Sequence, residues 1–222
     1  VTNGRGVFSR SLGEWVMAAV LFFAKDLRRL IDNQAAAQWR QFDVEEVQGR
    51  TIGIVGYGDI GRAVAVRARA MGMRVLGLTR RGPQPGQDDD VAERIFAPAE
   101  RIAMLEQCDY VAVTAPLTPQ TRGLIGEAEL SALKREAVII NVGRGPVIDE
   151  EALVQALSQR RIKGAALDVF NDEPLPPGHP FWGLGNVLLS PHSADHTSVW
   201  LDDAMQLFID NLDLCLGARL FD

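Results

Sequence analysis

Cysteine is scarce in this chain of 222 residues, which has only Cys108 and Cys215. The two follow no metal-ligand or disulfide spacing, so a disulfide scaffold is excluded and no metal is expected. Their scarcity fits a reducing compartment, with the cytoplasm as the expected location. Positive charge is also short: 23 Lys and Arg face 29 Asp and Glu, a net charge of −6. Phosphate backbones call for a basic surface, so nucleic acid is not the expected partner. Long apolar runs are missing too. The longest, Trp15-Val-Met-Ala-Ala-Val-Leu-Phe-Phe-Ala24, has 10 residues, against the ~20 of a membrane span. It ends in Lys25-Asp26-Leu27-Arg28-Arg29 and reads as one buried helix, with no membrane as partner. No signal or transit segment is visible, and the first residue is Val1, so an excerpt of a longer protein is expected.

The sequence does hold enough apolar residues, 47%, for an ample core in one large domain. Its patterns alternate between helix and strand. An opening helix runs from Ser9 to Ile31, followed by a polar stretch with Trp39. Strands are expected at Thr51–Val55, Arg74–Leu78, Tyr110–Thr114, Ala137–Val142, Ile162–Leu167 and Asn186–Ser190. Helices are expected at Ile60–Met71, Ala99–Gln107, Glu127–Leu133, Glu150–Arg160 and Thr197–Leu216. The acidic, turn-rich segment Gly82–Asp90 reads as an exposed loop. Strands joined by helical crossovers imply an α/β fold: a doubly wound parallel sheet with helices on both faces, of the Rossmann type.

Gly56-x-Gly58-x-x-Gly61 follows the first strand and opens a helix. In that context the glycines mark a dinucleotide site: Gly56 for the tight turn, Gly58 for close approach of the pyrophosphate, Gly61 for helix–strand packing. Asp59 and Ile60, at the helix start, belong to the same phosphate-binding turn, where N–H groups and the helix dipole attract anions. Cofactor choice is read at the end of the second strand, where an acid would hold a ribose 2′-hydroxyl. Here Thr79-Arg80-Arg81 offers two guanidinium groups and no acid. That favours a 2′-phosphate, so NADP is the preferred cofactor and NAD the alternative.

Three further segments place polar residues just after strands, where open α/β sheets bind ligands. They are Ile140–Asp149 with Arg144, Ala166–Leu175 with Asp168 and Glu173, and Leu189–Ala194 with His192 and Ser193. Gly143 and Gly145 flank Arg144 and are read as clearing space around its guanidinium. With Trp39, the glycine loop, Thr114-Ala-Pro-Leu-Thr-Pro-Gln-Thr121 and Ser190-Pro-His-Ser193, these motifs resemble the cofactor-binding domain of the D-isomer-specific 2-hydroxyacid dehydrogenases, over essentially the whole chain. That family includes glyoxylate/hydroxypyruvate reductases.

The resemblance implies roles for particular residues. His192 would be the general acid that protonates a carbonyl oxygen, and the base in reverse. Glu173 would orient it and stabilise its imidazolium. Arg144 would hold the substrate carboxylate and polarise its ketone. Asp168 would accept the nicotinamide amide, Thr114, Pro116 and Thr121 would line the cofactor's path, and Val142, Gly143 and Ser193 would stand near the nicotinamide. His179 reads as a surface-loop residue, while His196, Asp195 and Trp200 stand close enough to His192 to line a cleft.

The expected activity is hydride transfer from NADPH to a short 2-keto acid, giving a D-2-hydroxy acid. A nucleotide-sensing corepressor of the same fold and an inactive truncated relative are the alternatives. The resemblance also implies a flavodoxin-like substrate domain ahead of Val1-Thr-Asn3, which would be its last strand. Residues 1–32 would then be a crossover and dimerisation region, 33–194 the dinucleotide-binding domain and 195–222 a C-terminal helix. A homodimer is expected through Ser9–Ile31.

Overall fold

The computed structural model describes residues 4, 6–82 and 89–219, with the side chains of 218 and 219 excepted. The expected strand at Val1–Asn3 and the middle of the acidic loop, 83–88, lie outside the described residues. Seven parallel strands form one sheet in the order β3-β2-β1-β4-β5-β6-β7. They are β1 (Thr51–Val55), β2 (Arg74–Leu78), β3 (Arg94–Phe96), β4 (Tyr110–Val113), β5 (Val138–Asn141), β6 (Gly164–Leu167) and β7 (Val187–Leu189). The reversal of direction between β1 and β4 creates a crevice at the carboxyl ends of the strands, the usual ligand position in such sheets.

Both faces of the sheet are covered, and the side-chain period of two sorts residues between two cores. Val111, Val113 and Ile139 enter one core, with Leu130, Leu153 and Phe181. Tyr110, Ala112, Val138 and Ile140 enter the other. That second core is closed by α1 (Ser9–Ala24) and α3 (Asp59–Ala70). Leu12, Val16, Met17, Val20 and Ala24 recur at helical spacing along α1 and are buried. The first core is covered by α4 (Arg101–Leu105), α5 (Glu127–Ala132) and α6 (Glu150–Ser158). The N-terminus of α6 is capped by Asp149, whose carboxylate accepts the Ala152 N–H at 3.1 Å. Cys108 sits in this core, where burial pushes its thiol up to about 12, so it packs as an inert apolar group.

Two expectations need correction. The opening helix is not continuous to Ile31: it breaks after Ala24, and α2 (Leu27–Ala35) starts anew. Asp26 stands at the break with φ 47°, and α2 buries none of its residues, so the apolar stripe that holds α1 down does not continue into it. The second correction is β3, an unexpected strand that pairs beside β2. The final helix, α7, runs from Trp200 to Arg219 and exposes Leu201, Met205, Phe208 and Leu212. Among the described residues no helix is long and apolar enough to cross a membrane.

Candidate active site

The crevice at the carboxyl ends of β1, β4, β5 and β6 opens into a cleft of about 1480 Å³. At its floor β1 turns into α3 through Gly56, whose φ of 97° is the left-handed conformation that favours glycine. A side chain there would also stand 2.6 Å from the Ala115 backbone, and one at Gly61 would stand 2.7 Å from the Gly56 carbonyl. At Gly58, by contrast, a Cβ would meet nothing closer than 4.0 Å. The fold therefore needs Gly56 and Gly61 itself, while the space over Gly58 stays open. The N–H groups of Ile60 and Gly61, in the first turn of α3, have no acceptor within the helix and offer themselves to a phosphate. Asp59 lines the cleft, and its carboxylate accepts the Gly6 N–H at 2.9 Å and the Ser9 hydroxyl. Its side chain thus ties the start of α1 to the glycine loop.

Thr79, Arg80 and Arg81 line the cleft just beyond β2. Thr79 donates to the Gly82 carbonyl at 3.0 Å and shapes that turn. Thr114, Pro116 and Thr121 line it beyond β4. Thr114 donates its hydroxyl to the Gly56 carbonyl at 2.8 Å, and Thr121 donates to the Pro116 carbonyl at 2.6 Å. Both hydroxyls are thus committed to holding cofactor-side loops in shape. Tyr57, which sequence reasoning passed over because its position in the motif tolerates any residue, also faces the cleft. Its hydroxyl donates to Asp89 at 2.9 Å. Burial first, then the Asp89 carboxylate, push its phenol well above its ordinary value.

Beyond β5, Val142, Gly143 and Arg144 line the cleft. Asn141 fixes this turn from both sides: it accepts the Gly143 N–H at 3.0 Å and donates to the Arg144 carbonyl at 3.1 Å. The glycines flanking Arg144 serve another purpose than clearing space for its guanidinium. A Cβ at Gly143 would stand 2.6 Å from the Ala115 carbonyl, and one at Gly145 would stand 2.1 Å from the Phe170 carbonyl. They let neighbouring backbone segments approach.

His192 lines the same cleft, and its Nδ1 stands 2.7 Å from Oε2 of Glu173. The other oxygen of Glu173 accepts the Phe170 N–H at 2.9 Å. Glu173 thus stands behind the imidazole rather than in the cleft. Asp168 lines the cleft just beyond β6, whereas Ser193 is absent from the lining and is tied to it through its N–H, which donates to Asp168 at 3.0 Å. Of the neighbours of His192, Asp195 lines the cleft; His196 stacks instead on Trp200, with ring centroids 5.3 Å apart. His179 bonds Glu150 at 3.3 Å and is absent from the lining. An imidazole backed by a carboxylate can pass a proton, and a guanidinium in the same cleft can hold an organic anion.

Burial alone would raise the Glu173 pKa. The His192 hydrogen bond, the Phe170 N–H and the charges of His192 and Arg144 outweigh it and hold the carboxyl below its ordinary 4.5. A depressed carboxyl contributes stability above the unfolded value and loses it as pH falls through the folded one. Glu173→Gln should therefore flatten the acid limb below pH 4.5 in urea midpoints measured against pH. An unchanged acid limb would contradict this electrostatic picture.

The sequence model described as D-isomer specific 2-hydroxyacid dehydrogenase, NAD binding domain, matches residues 17–194. The chain is 35% identical over 218 residues to a glyoxylate reductase of Korarchaeum cryptofilum, covering 96% of this chain and 64% of the relative. It is 37% identical over 220 residues to a glyoxylate/hydroxypyruvate reductase B of an Enterobacter species, covering 96% and 66%. A solved D-isomer specific 2-hydroxyacid dehydrogenase from Xanthobacter autotrophicus, in complex with NADPH and MES, superposes with a TM-score of 0.83 at 33% identity. It covers 95% of this chain and 85% of that one. The chain thus spans less than two thirds of the length of these curated relatives. By these matches and by its seven-stranded parallel sheet, the chain belongs to the D-isomer specific 2-hydroxyacid dehydrogenase family and carries its NAD-binding domain.

Proposed function

We propose that the protein containing this chain reduces a short 2-keto acid, glyoxylate or hydroxypyruvate, to the corresponding 2-hydroxy acid with NADPH, in the D configuration where the product is chiral. The observation that carries this reading is His192, backed by Glu173 at 2.7 Å, in one cleft with Arg144 and the glycine loop. Two similar proteins are named as reductases of these acids. When bound, the nicotinamide supplies a hydride to the carbonyl carbon. The first-turn N–H groups of α3 hold the pyrophosphate, and Arg144 pairs with the substrate carboxylate. His192 gives its proton to the carbonyl oxygen as the C–O double bond becomes an alkoxide, and Glu173 stabilises the imidazolium beforehand. Charge and atoms balance: the hydride forms the new C–H bond, the proton forms the O–H bond, and the carbonyl becomes an alcohol.

Arg80 and Arg81 support NADPH over NADH, with NAD as the alternative, since a guanidinium pairs a 2′-phosphate that a carboxylate would repel. We assign residues 33–194 to cofactor binding. The exposed apolar residues of α7 would face a substrate domain supplied by the additional length seen in the relatives. A cytoplasmic location fits two cysteines that are both unpaired.

A homodimer is also part of this reading, expected through Ser9–Ile31, where α1 buries one face in the core and leaves Arg10, Glu14 and Ala18 exposed on the other, and α2 buries none of its residues. The candidate face is α2 and the segment after it, where Trp39 is 95% exposed and Leu30, Ile31 and Val44 are exposed beside it. A second copy would cover these exposed apolar side chains.

Two experiments on the full protein test the proposal. In steady-state assays over a panel of keto acids, His192→Ala should lower kcat by about 10²–10⁴-fold while NADPH binding survives. Arg80→Ala should raise the KM for NADPH about tenfold with that for NADH little changed. Retained turnover in the first variant, or a clear NADH preference in the parent, would overturn the assignment. Sedimentation velocity should show a dimer that Trp39→Glu shifts toward monomer; a monomeric parent at micromolar concentration would remove the dimer.

A further inference from the structure

Asp168 directly follows β6 and is 1% exposed, yet its carboxylate is almost fully engaged. Oδ1 accepts the Ser190 hydroxyl at 2.5 Å, the Ser193 N–H at 3.0 Å and the Ala194 N–H at 3.1 Å. Oδ2 has a single longer contact, to the Ala194 N–H at 3.3 Å. These donors sit on either side of one residue, His192. That residue has a φ of 52°, in the left-handed region that costs a non-glycine side chain and persists only where surrounding contacts over-determine it. A second anchor lies on the far end of the same turn, where the Ser11 hydroxyl of α1 donates to the Ala194 carbonyl at 2.7 Å.

We propose that Asp168 is a positioning residue for His192. Its carboxylate gathers the turn at Ser190 on one side and at Ser193–Ala194 on the other. The backbone between is thereby held in the left-handed conformation that presents the imidazole to Glu173 at 2.7 Å and to the cleft. This extends the cofactor contact expected of Asp168, because Oδ1 is saturated by the turn and only Oδ2 retains capacity toward a ligand. A buried carboxylate whose charge is answered by a hydroxyl and two N–H groups fixes geometry more tightly than a flexible ion pair, since each donor has a defined direction. The inference rests on the reading of His192 as the proton donor.

The test uses Asp168→Ala, Asp168→Asn and Ser190→Ala in the full protein. It reads kcat, the KM and Kd for NADPH, and the ¹⁵N resonances of the His192 imidazole without substrate. Ser190→Ala should lower kcat about threefold to tenfold with the NADPH KM within about twofold, and should shift the His192 Nδ1 resonance. Asp168→Ala should lose about 100-fold in kcat, and Asp168→Asn, whose side-chain oxygen still accepts, should recover most of it. If Asp168→Ala does not fold, Ser190→Ala still decides. An unchanged kcat and imidazole resonance in Ser190→Ala would overturn the proposal, as would an Asp168→Ala defect seen only in NADPH Kd. If the parent turns over no keto acid, the functional reading fails; the imidazole resonances then still decide the positioning role.

Discussion

Everything in the cleft depends on backbone segments lying closer together than side chains would permit. Gly56 and Gly143 both press against Ala115, and Gly145 presses against Phe170. These contacts lock the turns after β1, β4, β5 and β6 into one rim. Close packing of this kind leaves no room for a methyl group, and interiors relax only partly when one is forced in. The rim therefore behaves as a rigid frame on which polar groups can be aimed.

Short polar side chains then fix what glycine leaves undetermined. Asn141 clamps the Gly143–Arg144 turn, Thr114 clamps the glycine loop, and Asp168 clamps the turn of His192. Each buried group is satisfied locally, so the site gains order without exposing unpaired dipoles. Charged groups stand at the outer side: Arg80 and Arg144 line the cleft from exposed positions, and Arg144 Nη1 donates to the Gly143 carbonyl at 2.6 Å. Ordering the backbone first and leaving the charges accessible is how a site avoids reorganising when a ligand arrives.

Much of this was legible in the sequence, for physical reasons that differ by element. β1 is a buried run and β2 a buried run that opens on the exposed Arg74, each bounded by turns, so both ends were readable to the residue. The glycine motif marked the tight turn from β1 into α3, because that spacing serves turn and packing together. β3 was not legible: three residues beginning with Arg94 carry no period, and only pairing with β2 makes them a strand. The break at Asp26 was hidden because the charged tract is compatible with helix, and only loss of burial ends α1. The glycines beside Arg144 were recognised but misread, since their partners Ala115 and Phe170 are distant in sequence. The donors gathered on Asp168 were hidden for the same reason.

The central claim, that the space over the glycine loop belongs to a dinucleotide, is tested most directly at Gly58. Its φ of −104° is outside the left-handed region, its ψ of −148° lies just past the extended range, and an added Cβ meets nothing closer than 4.0 Å, so Gly58→Ala should leave the fold intact. The measurement is NADPH affinity by fluorescence titration, alongside the melting temperature. The account predicts an unchanged melting temperature and affinity weakened about tenfold or more, because the methyl group fills the pyrophosphate's place. Unchanged affinity in a folded Gly58→Ala protein would contradict it.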